Sequence, residues 1–381
     1  MPEHESLGQA AAATQSVQDD LRQTREQAET LQQRRRDEWR AEEPEVSYTD
    51  DPAAFQREYE AARARRGTEE EPVPYMLENA TGGLGARDGG RAFGLELEFD
   101  IDSNRDRHEA LAAIARDMHA EGLSQQHYMQ RYHAARRDGY TEAPDGWRLE
   151  EDGTVAGEVV SPILYDEPQT WHNLQRICEI IQRHGGTATV RTGGHIHVAL
   201  PDYDHTVENH NRLLGLVNAN EDVLYRLAQN PEAPWHRGIT WCRPNDAPGS
   251  GYRSVASARR RNEGHHLGLN FESVHGSQSD HVEFRMWDGS LNPAVVQAQI
   301  KLSLGLADAA SRGSGPALPP EPLGTHRERN SHLQRGQRLS GEAWLADTRS
   351  FRSMVDTVFR RSQDKAQAAA LFAVTRWQQR R

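Results

Sequence analysis

FGLELEFDI, residues 93–101, alternates Phe93, Leu95, Leu97 and Phe99 with Gly94, Glu96, Glu98 and Asp100. Successive side chains of an extended chain point to opposite faces, so this period of two predicts a strand with one core face and one polar face. Two later stretches share the design. In TGGHIHVAL (192–200), His195 and His197 alternate with Ile196 and Val198. In HVEFRMWDGSLNP (281–293), Glu283 and Arg285 alternate with Val282, Phe284 and Met286. Side chains at i and i+2 leave a strand on the same side, so each pair is a two-pronged polar display. If the three strands share a sheet, one of its faces gathers three carboxylates, two imidazoles and a guanidinium. Neighbouring strands lie ~4.8 Å apart, close enough for carboxylates to raise one another's pKa unless a cation sits between them. Oxygen-rich sites with one imidazole suit Mg²⁺ or Mn²⁺. A lone Glu-x-Glu is commonly a solvated face, and Glu283 with Arg285 is commonly a plain ion pair. The recurrence of the pattern in three strands is what carries weight.

Around these strands the chain reads as an α+β domain. Helical patterns are expected at Asn104–His119 and Ser124–Arg137. WRLEEDGTVAGEVVSPIL (147–164) predicts a hairpin turning at Asp152-Gly153, with Pro162 closing its second strand. Pro168–His184 is amphipathic, with Trp171, Leu174, Ile177 and Ile181 on one face, and is stopped by Gly185-Gly186. A strand over Thr187–Leu200, interrupted at Gly193-Gly194, is followed by helices near 207–218 and 221–229. Further strands are expected near 265–271 and 282–286. Asn292 and Pro293 mark a helix start, and a final helical region covers about 341–380. No internal repeat is present.

Composition sets the limits. The chain has 381 residues, 36% of them hydrophobic, and a net charge of −12, which argues against wrapping nucleic acid. Residues 1–91 carry 20 acidic and 12 basic side chains and few large apolar ones, and are expected to form a disordered or partly helical acidic tail and linker. Residues 92–312 are the expected catalytic domain. Residues 313–381 are read as a Pro-rich linker and basic C-terminal helices packed on that domain or extending it. No apolar run is long enough to span a membrane, and the N-terminus lacks the features of a secretory signal. Cys178 and Cys242 are too few for a disulfide scaffold, so a cytoplasmic location is expected. Of the 45 basic residues only Lys301 and Lys365 are lysine, which excludes a Gly-Lys-Ser/Thr phosphate loop. Phosphate chemistry would fall to Arg, His, backbone amides or metal.

Residues 92–310 resemble the amidoligase family, carboxylate–amine ligases related in fold to glutamine synthetase and glutamate–cysteine ligase. The stretches that carry the resemblance are FGLELEF (93–99), GEVVSPIL (157–164), TGGHIHVAL (192–200) and HVEFRMWDGSLNP (281–293), in that order. The resemblance implies a glutamine synthetase-like curved antiparallel sheet forming a cup, flanked by helices, that holds ATP and Mg²⁺ or Mn²⁺. It implies Glu96, Glu98, Glu158, His195 and Glu283 as metal ligands, and His197 as the histidine that contacts nucleotide phosphate or substrate. Arg285 resembles the arginine that stabilises the transferring phosphoryl oxygens, with Arg191, Arg237 or Arg253 as further cations. Asn270 and Tyr252 fall where family members carry residues near the substrate, although the insert 254–266 departs from the family's pattern. No proton acceptor for the amine stands out in the sequence; Glu158 and a metal-bound carboxylate are the candidates. The implied reaction forms an amide or isopeptide bond through an acyl phosphate, on a peptide or a small amino-acid substrate. Two rivals stay open on the residues alone: a metal-dependent hydrolase using the His-x-His pair with carboxylates, and a non-catalytic protein that keeps the fold for binding.

Overall fold

The computed structural model describes residues 83–134, 146–203, 206–230, 241–275, 280–319 and 341–375. The acidic segment 1–82, Trp235 and Arg237 lie outside these residues. A seven-stranded antiparallel sheet is formed by β1 (Phe93–Ile101), β2 (Arg148–Glu150), β3 (Gly157–Val160), β4 (Gly186–Thr187), β5 (Gly193–Ala199), β6 (Leu269–Asn270) and β7 (His281–Asp288). Its order is β2-β3-β1-β5-β7-β6, with β4 paired to the end of β1. The strands that share the alternating pattern, β1, β5 and β7, are therefore consecutive in space. Their apolar sides, including Leu95, Leu97, Ile196, Val198, Val282 and Phe284, are buried on one face.

Helices cover that face: α1 (Arg107–Ala120), α2 (Pro168–Arg183), α3 (Glu208–Ala219), α4 (Glu221–Leu227), α5 (Val255–Asn262), α6 (Pro293–Ser311), α7 (Gly341–Val358) and α8 (Ser362–Thr375). The caps follow from the sequence. Asp106 accepts from the Glu109 amide at the start of α1, and Asn292 accepts from the Ala294 amide, with Pro293 in the first turn of α6. Gly185 ends α2 at φ +84°, a conformation that favours glycine. Helix α6 is buried on nearly every side, packing on β5 while α2, α3, α7 and α8 pack on it. Its Lys301 is fully buried and bonds Asp166, which also accepts from Trp171 Nε1 at 2.9 Å; Asp364 of α8 lies 3.7 Å from the same ammonium. Ahead of β1, residues 83–91 also pack on the domain. The Asp166 amide donates to the Gly85 carbonyl, and the buried Arg91 binds Asp202 and Ser311.

Three local expectations differ from the structure, and one insert takes a form the sequence left open. The helix expected over Ser124–Arg137 does not form over 124–133: this stretch has no apolar stripe, and Gln130 instead bonds the backbone of Leu149 and Glu151 beside β2. The glycines of the 187–200 strand open β5 rather than interrupt a strand, and the break lies at 188–192. The insert 254–266 contains α5, started by a capping box between Ser254 and Ser257. The strand expected at 265–271 is confined to β6, because the Asn270 side-chain oxygen accepts from the amides of Gly264 and Glu272 and turns the chain on both sides.

Candidate metal centre

Register brings the polar residues together. Glu98 of β1 stands opposite Glu158 of β3, and Glu96 stands opposite His195 of β5. His197 is opposite Glu283 of β7, Asn270 of β6 is opposite the same Glu283, and Glu150 of β2 is opposite Glu158. The register shifts between Gly194 and Ile196, which re-aims His195. The bend that carries β5 toward β1 is held by Thr192: the Gly289 amide donates to its carbonyl, and a side chain at Gly289 would meet the Thr192 hydroxyl at 2.5 Å.

His195, only 2% exposed, is the centre of the cluster. Its Nδ1 lies 2.9 Å from Glu96 Oε2 and 3.7 Å from Glu283 Oε1. Its Nε2 lies 3.4 Å from Glu98 Oε1 and makes no hydrogen bond. Two trios, Glu96–His195–Glu283 and Glu98–Glu158–His195, each bring one ligand atom per residue within 4.8 Å of the others. A buried imidazole nitrogen without a hydrogen bond, surrounded by carboxylate oxygens, fits a divalent cation better than it fits a purely structural role. Neutral imidazole has one unprotonated nitrogen, so His195 can serve one trio as a ligand while carboxylates dominate the other.

Supporting bonds orient the candidate ligands. The Gly193 amide donates to Glu98 Oε2 at 2.6 Å. His197 Nε2 lies 3.1 Å from Glu96 Oε1, and its ring meets His281 edge-on with centroids 5.1 Å apart. Asn270 Nδ2 donates to Glu283 Oε2 at 2.8 Å, and Arg285 donates to Glu283 Oε1 and to the His265 carbonyl.

These contacts give the carboxylates unlike electrostatics. Burial pushes the Glu96 carboxyl up, but His197 and His195 outweigh it and hold the group well below the usual range. Glu283 follows the same pattern, with burial opposed first by Arg285 and then by His197. Burial disfavours the charged forms of His197 and Arg285, yet Glu96 raises the first and Glu283 raises the second. For Glu158 every contribution points upward. Burial is the largest, followed by the charges of Glu96, Glu98, Asp152 and Glu150, and the carboxyl is lifted well above its ordinary value. A recess of about 790 Å³, open to solvent, adjoins the cluster; Glu96, Glu158 and His197 form its polar wall, and Phe93, Val160 and Ile163 are among its apolar lining.

Residues 89–248 match the model of the family described as "putative amidoligase enzyme". The matched segment holds Glu96, Glu98, Glu158, His195 and His197, whereas Glu283, Arg285, Asn270 and Tyr252 come from beyond it and, apart from Tyr252, reach the cluster through β6 and β7. Two solved structures are loosely similar to parts of the chain. One is from the complex between the prokaryotic ubiquitin-like protein Pup and its ligase PafA, with a TM-score of 0.40 and 9% identity, covering 74% of this chain and 62% of that one. The other is a bifunctional glutathione synthetase from Pasteurella multocida, with a TM-score of 0.34 and 12% identity, covering 80% of this chain and 53% of that one. The chain thus spans less than two thirds of the length of either. No curated protein matches the sequence.

The structure brings together all five residues expected as metal ligands, with His197 and Arg285 beside them. Asn270 is behind Glu283, its side-chain oxygen already accepting two amides. Tyr252 is held away from the cluster: its hydroxyl donates to the Asp246 carbonyl, and its backbone pairs with Asn211. Arg191 bonds Asp100, which also accepts from Thr189. Two residues on the polar face escaped the sequence reading although the same period of two marks them. They are Glu150 beyond Leu149 and His281 before Glu283.

Proposed function

We propose that the protein is an ATP- and Mg²⁺-dependent carboxylate–amine ligase that joins an acid to an amine through an acyl phosphate, on a peptide or small amino-acid substrate. The observation that carries this reading is the convergence of Glu96, Glu98, Glu158, His195 and Glu283 from four adjacent strands, with Arg285 bonded to one of them. A carboxylate is unreactive toward amines until its oxygen becomes part of a leaving group. Transfer of the γ-phosphoryl of ATP to the acid supplies that group, and the amine nitrogen then displaces phosphate from the acyl carbon, losing one proton.

The five ligand candidates would hold Mg²⁺ or Mn²⁺, which neutralises phosphate charge during transfer. Arg285 is aimed by Glu283 and the His265 carbonyl and offers guanidinium N–H groups to phosphoryl oxygens. His197, held by Glu96, presents its ring to the recess and contacts phosphate or substrate there. Wherever the bound cation leaves Glu158 uncoordinated, its raised proton affinity suits it to take the proton from the amine. A donor set of carboxylates with one central imidazole is harder than the His-rich sets of zinc hydrolases.

Full-length protein with Mg²⁺–ATP and a mixture of amino acids and short peptides is expected to release phosphate in step with a new amide detected by mass spectrometry. Glu98→Gln and Arg285→Ala are each expected to lose both. Wild type and both variants giving identical results would remove the ligase reading, and tight Zn²⁺ binding without nucleotide affinity would favour hydrolysis.

A further inference from the structure

The segment after α1 carries two aromatic side chains beside the recess that adjoins the cluster. The Gln130 amide donates to the Leu149 carbonyl at 2.7 Å, and the Ala134 amide donates to Glu150 Oε2 at 3.2 Å, so residues 131–133 are pinned to the β2 side at both ends. Between these anchors the Tyr132 and His133 rings lie with centroids 3.6 Å apart. His133 lines the recess together with Glu96, Glu158 and His197, and it takes φ +58°, a left-handed conformation that non-glycine residues hold only where the surroundings impose it. Tyr132 is 46% exposed, so one side of its ring faces water. Its phenol is pushed up to about 12, by burial first and then by the charges of Glu158, Glu96 and Asp152; Arg285 acts in the opposite sense. These four charged groups belong to β1, the hairpin and β7, and His133, in contact with the Tyr132 ring, lines the recess that adjoins them.

We propose that Tyr132 and His133 cover the carboxylate cluster and set the preference for an amine over water as acceptor. This rests on the ligase reading above. An acyl phosphate is open to two attacks. An amine nitrogen that attacks the acyl carbon breaks the bond to phosphate, which leaves with its electron pair, and the amine loses a proton to give the amide. Water breaks the same bond and regenerates the acid, so ATP is hydrolysed with no product. A ligase therefore needs its activated acid shielded, and a pair of rings anchored to β2 beside the recess supplies the shield.

The test uses full-length protein, Mg²⁺–ATP, a mixture of amino acids and short peptides as acids and hydroxylamine as the amine probe, comparing amide plus hydroxamate formed with phosphate released. Wild type is expected near equality. Tyr132→Ala and His133→Gly should each lower the ratio roughly threefold or more by raising phosphate release, while Tyr132→Phe, which keeps the ring, should leave it unchanged. A second readout needs no turnover: the water-proton relaxation enhancement of bound Mn²⁺ should rise in Tyr132→Ala and not in Tyr132→Phe. Unchanged enhancement in Tyr132→Ala overturns the cover whether or not ligation is found. A raised enhancement with no acid activation in wild type removes the ligase reading and the preference for amine, and leaves the cover standing. A wild-type ratio in both Tyr132→Ala and His133→Gly overturns the preference alone.

Discussion

At the β5–β7 end of the cluster, the half-buried Glu96 and the buried Glu283 lie beside His197 and Arg285, whereas at the β3 end Glu158 is buried beside Glu96, Glu98, Asp152 and Glu150. Burial acts in the same direction on all three. The neighbours decide the outcome: cations hold the first two carboxyls ionised, and other carboxylates keep the third protonated into a higher pH range. One end thus carries its own positive charge, and the other is built to receive it. This contrast is what a site for an external cation needs, since a cluster neutralised throughout would have no drive to bind one.

Substitutions should separate the two ends by sign. Glu283→Gln removes the charge facing Arg285 and His197, and breaking a buried pair of this kind costs about 3 kcal/mol, so the metal-free protein should melt at a clearly lower temperature. A melting temperature equal to wild type would show that the β5–β7 end is not a paired unit. Glu158→Gln removes a repelled charge and should stabilise metal-free protein near neutral pH by on the order of 1 kcal/mol, while abolishing stabilisation by Mg²⁺. A destabilised variant that keeps its Mg²⁺ response would reverse the assignment of the two ends.

The pH dependence separates them again. Because the folded-state pKa of Glu158 is raised, its contribution to stability is fully present below the ordinary carboxylate value and is lost as pH rises through the raised one. Glu96 and Glu283 have lowered values, so their contribution is present above the ordinary value and lost in acid. Mg²⁺ restores what ionised Glu158 takes away, so the Mg²⁺-induced rise in melting temperature should grow from mild acid toward neutral pH. In Glu158→Gln that growth should vanish, and calorimetry in buffers of different ionisation enthalpy would read the corresponding proton release. The smallest expected effect lies outside the contrast: Tyr252→Phe loses a partly exposed hydroxyl bond to the Asp246 carbonyl and should change stability by less than about 0.5 kcal/mol, with Mg²⁺ binding intact.

Much of the cluster was legible in the sequence because a strand sorts its side chains by parity. Leu95 and Leu97 going into the core oblige Glu96 and Glu98 to face the other way, and the same holds for His195 with His197 and for Glu283 with Arg285. Which strands are neighbours is a matter of register and topology, and no local pattern states that Glu98 meets Glu158 or that Asn270 meets Glu283. The stretch 124–134 misled because Gln, His, Met and Ala tolerate helix, while the bonds from Gln130 and Ala134 to the hairpin outweigh that weak preference. Tyr132 and His133 follow no period at all. In α5 the signal was present: Ser254 followed three residues later by Ser257, then helix-forming Ala and Arg, but the run of arginines reads first as a surface loop.

The most direct test is a Mn²⁺ titration of the full-length protein by electron paramagnetic resonance near neutral pH, comparing wild type with the double variant Glu98→Gln, Glu158→Gln. The convergence of carboxylates on His195 predicts saturable Mn²⁺ binding, displaced by Mg²⁺, in the wild type and its loss in the variant. Equal binding in the two proteins, or none in either, would contradict it.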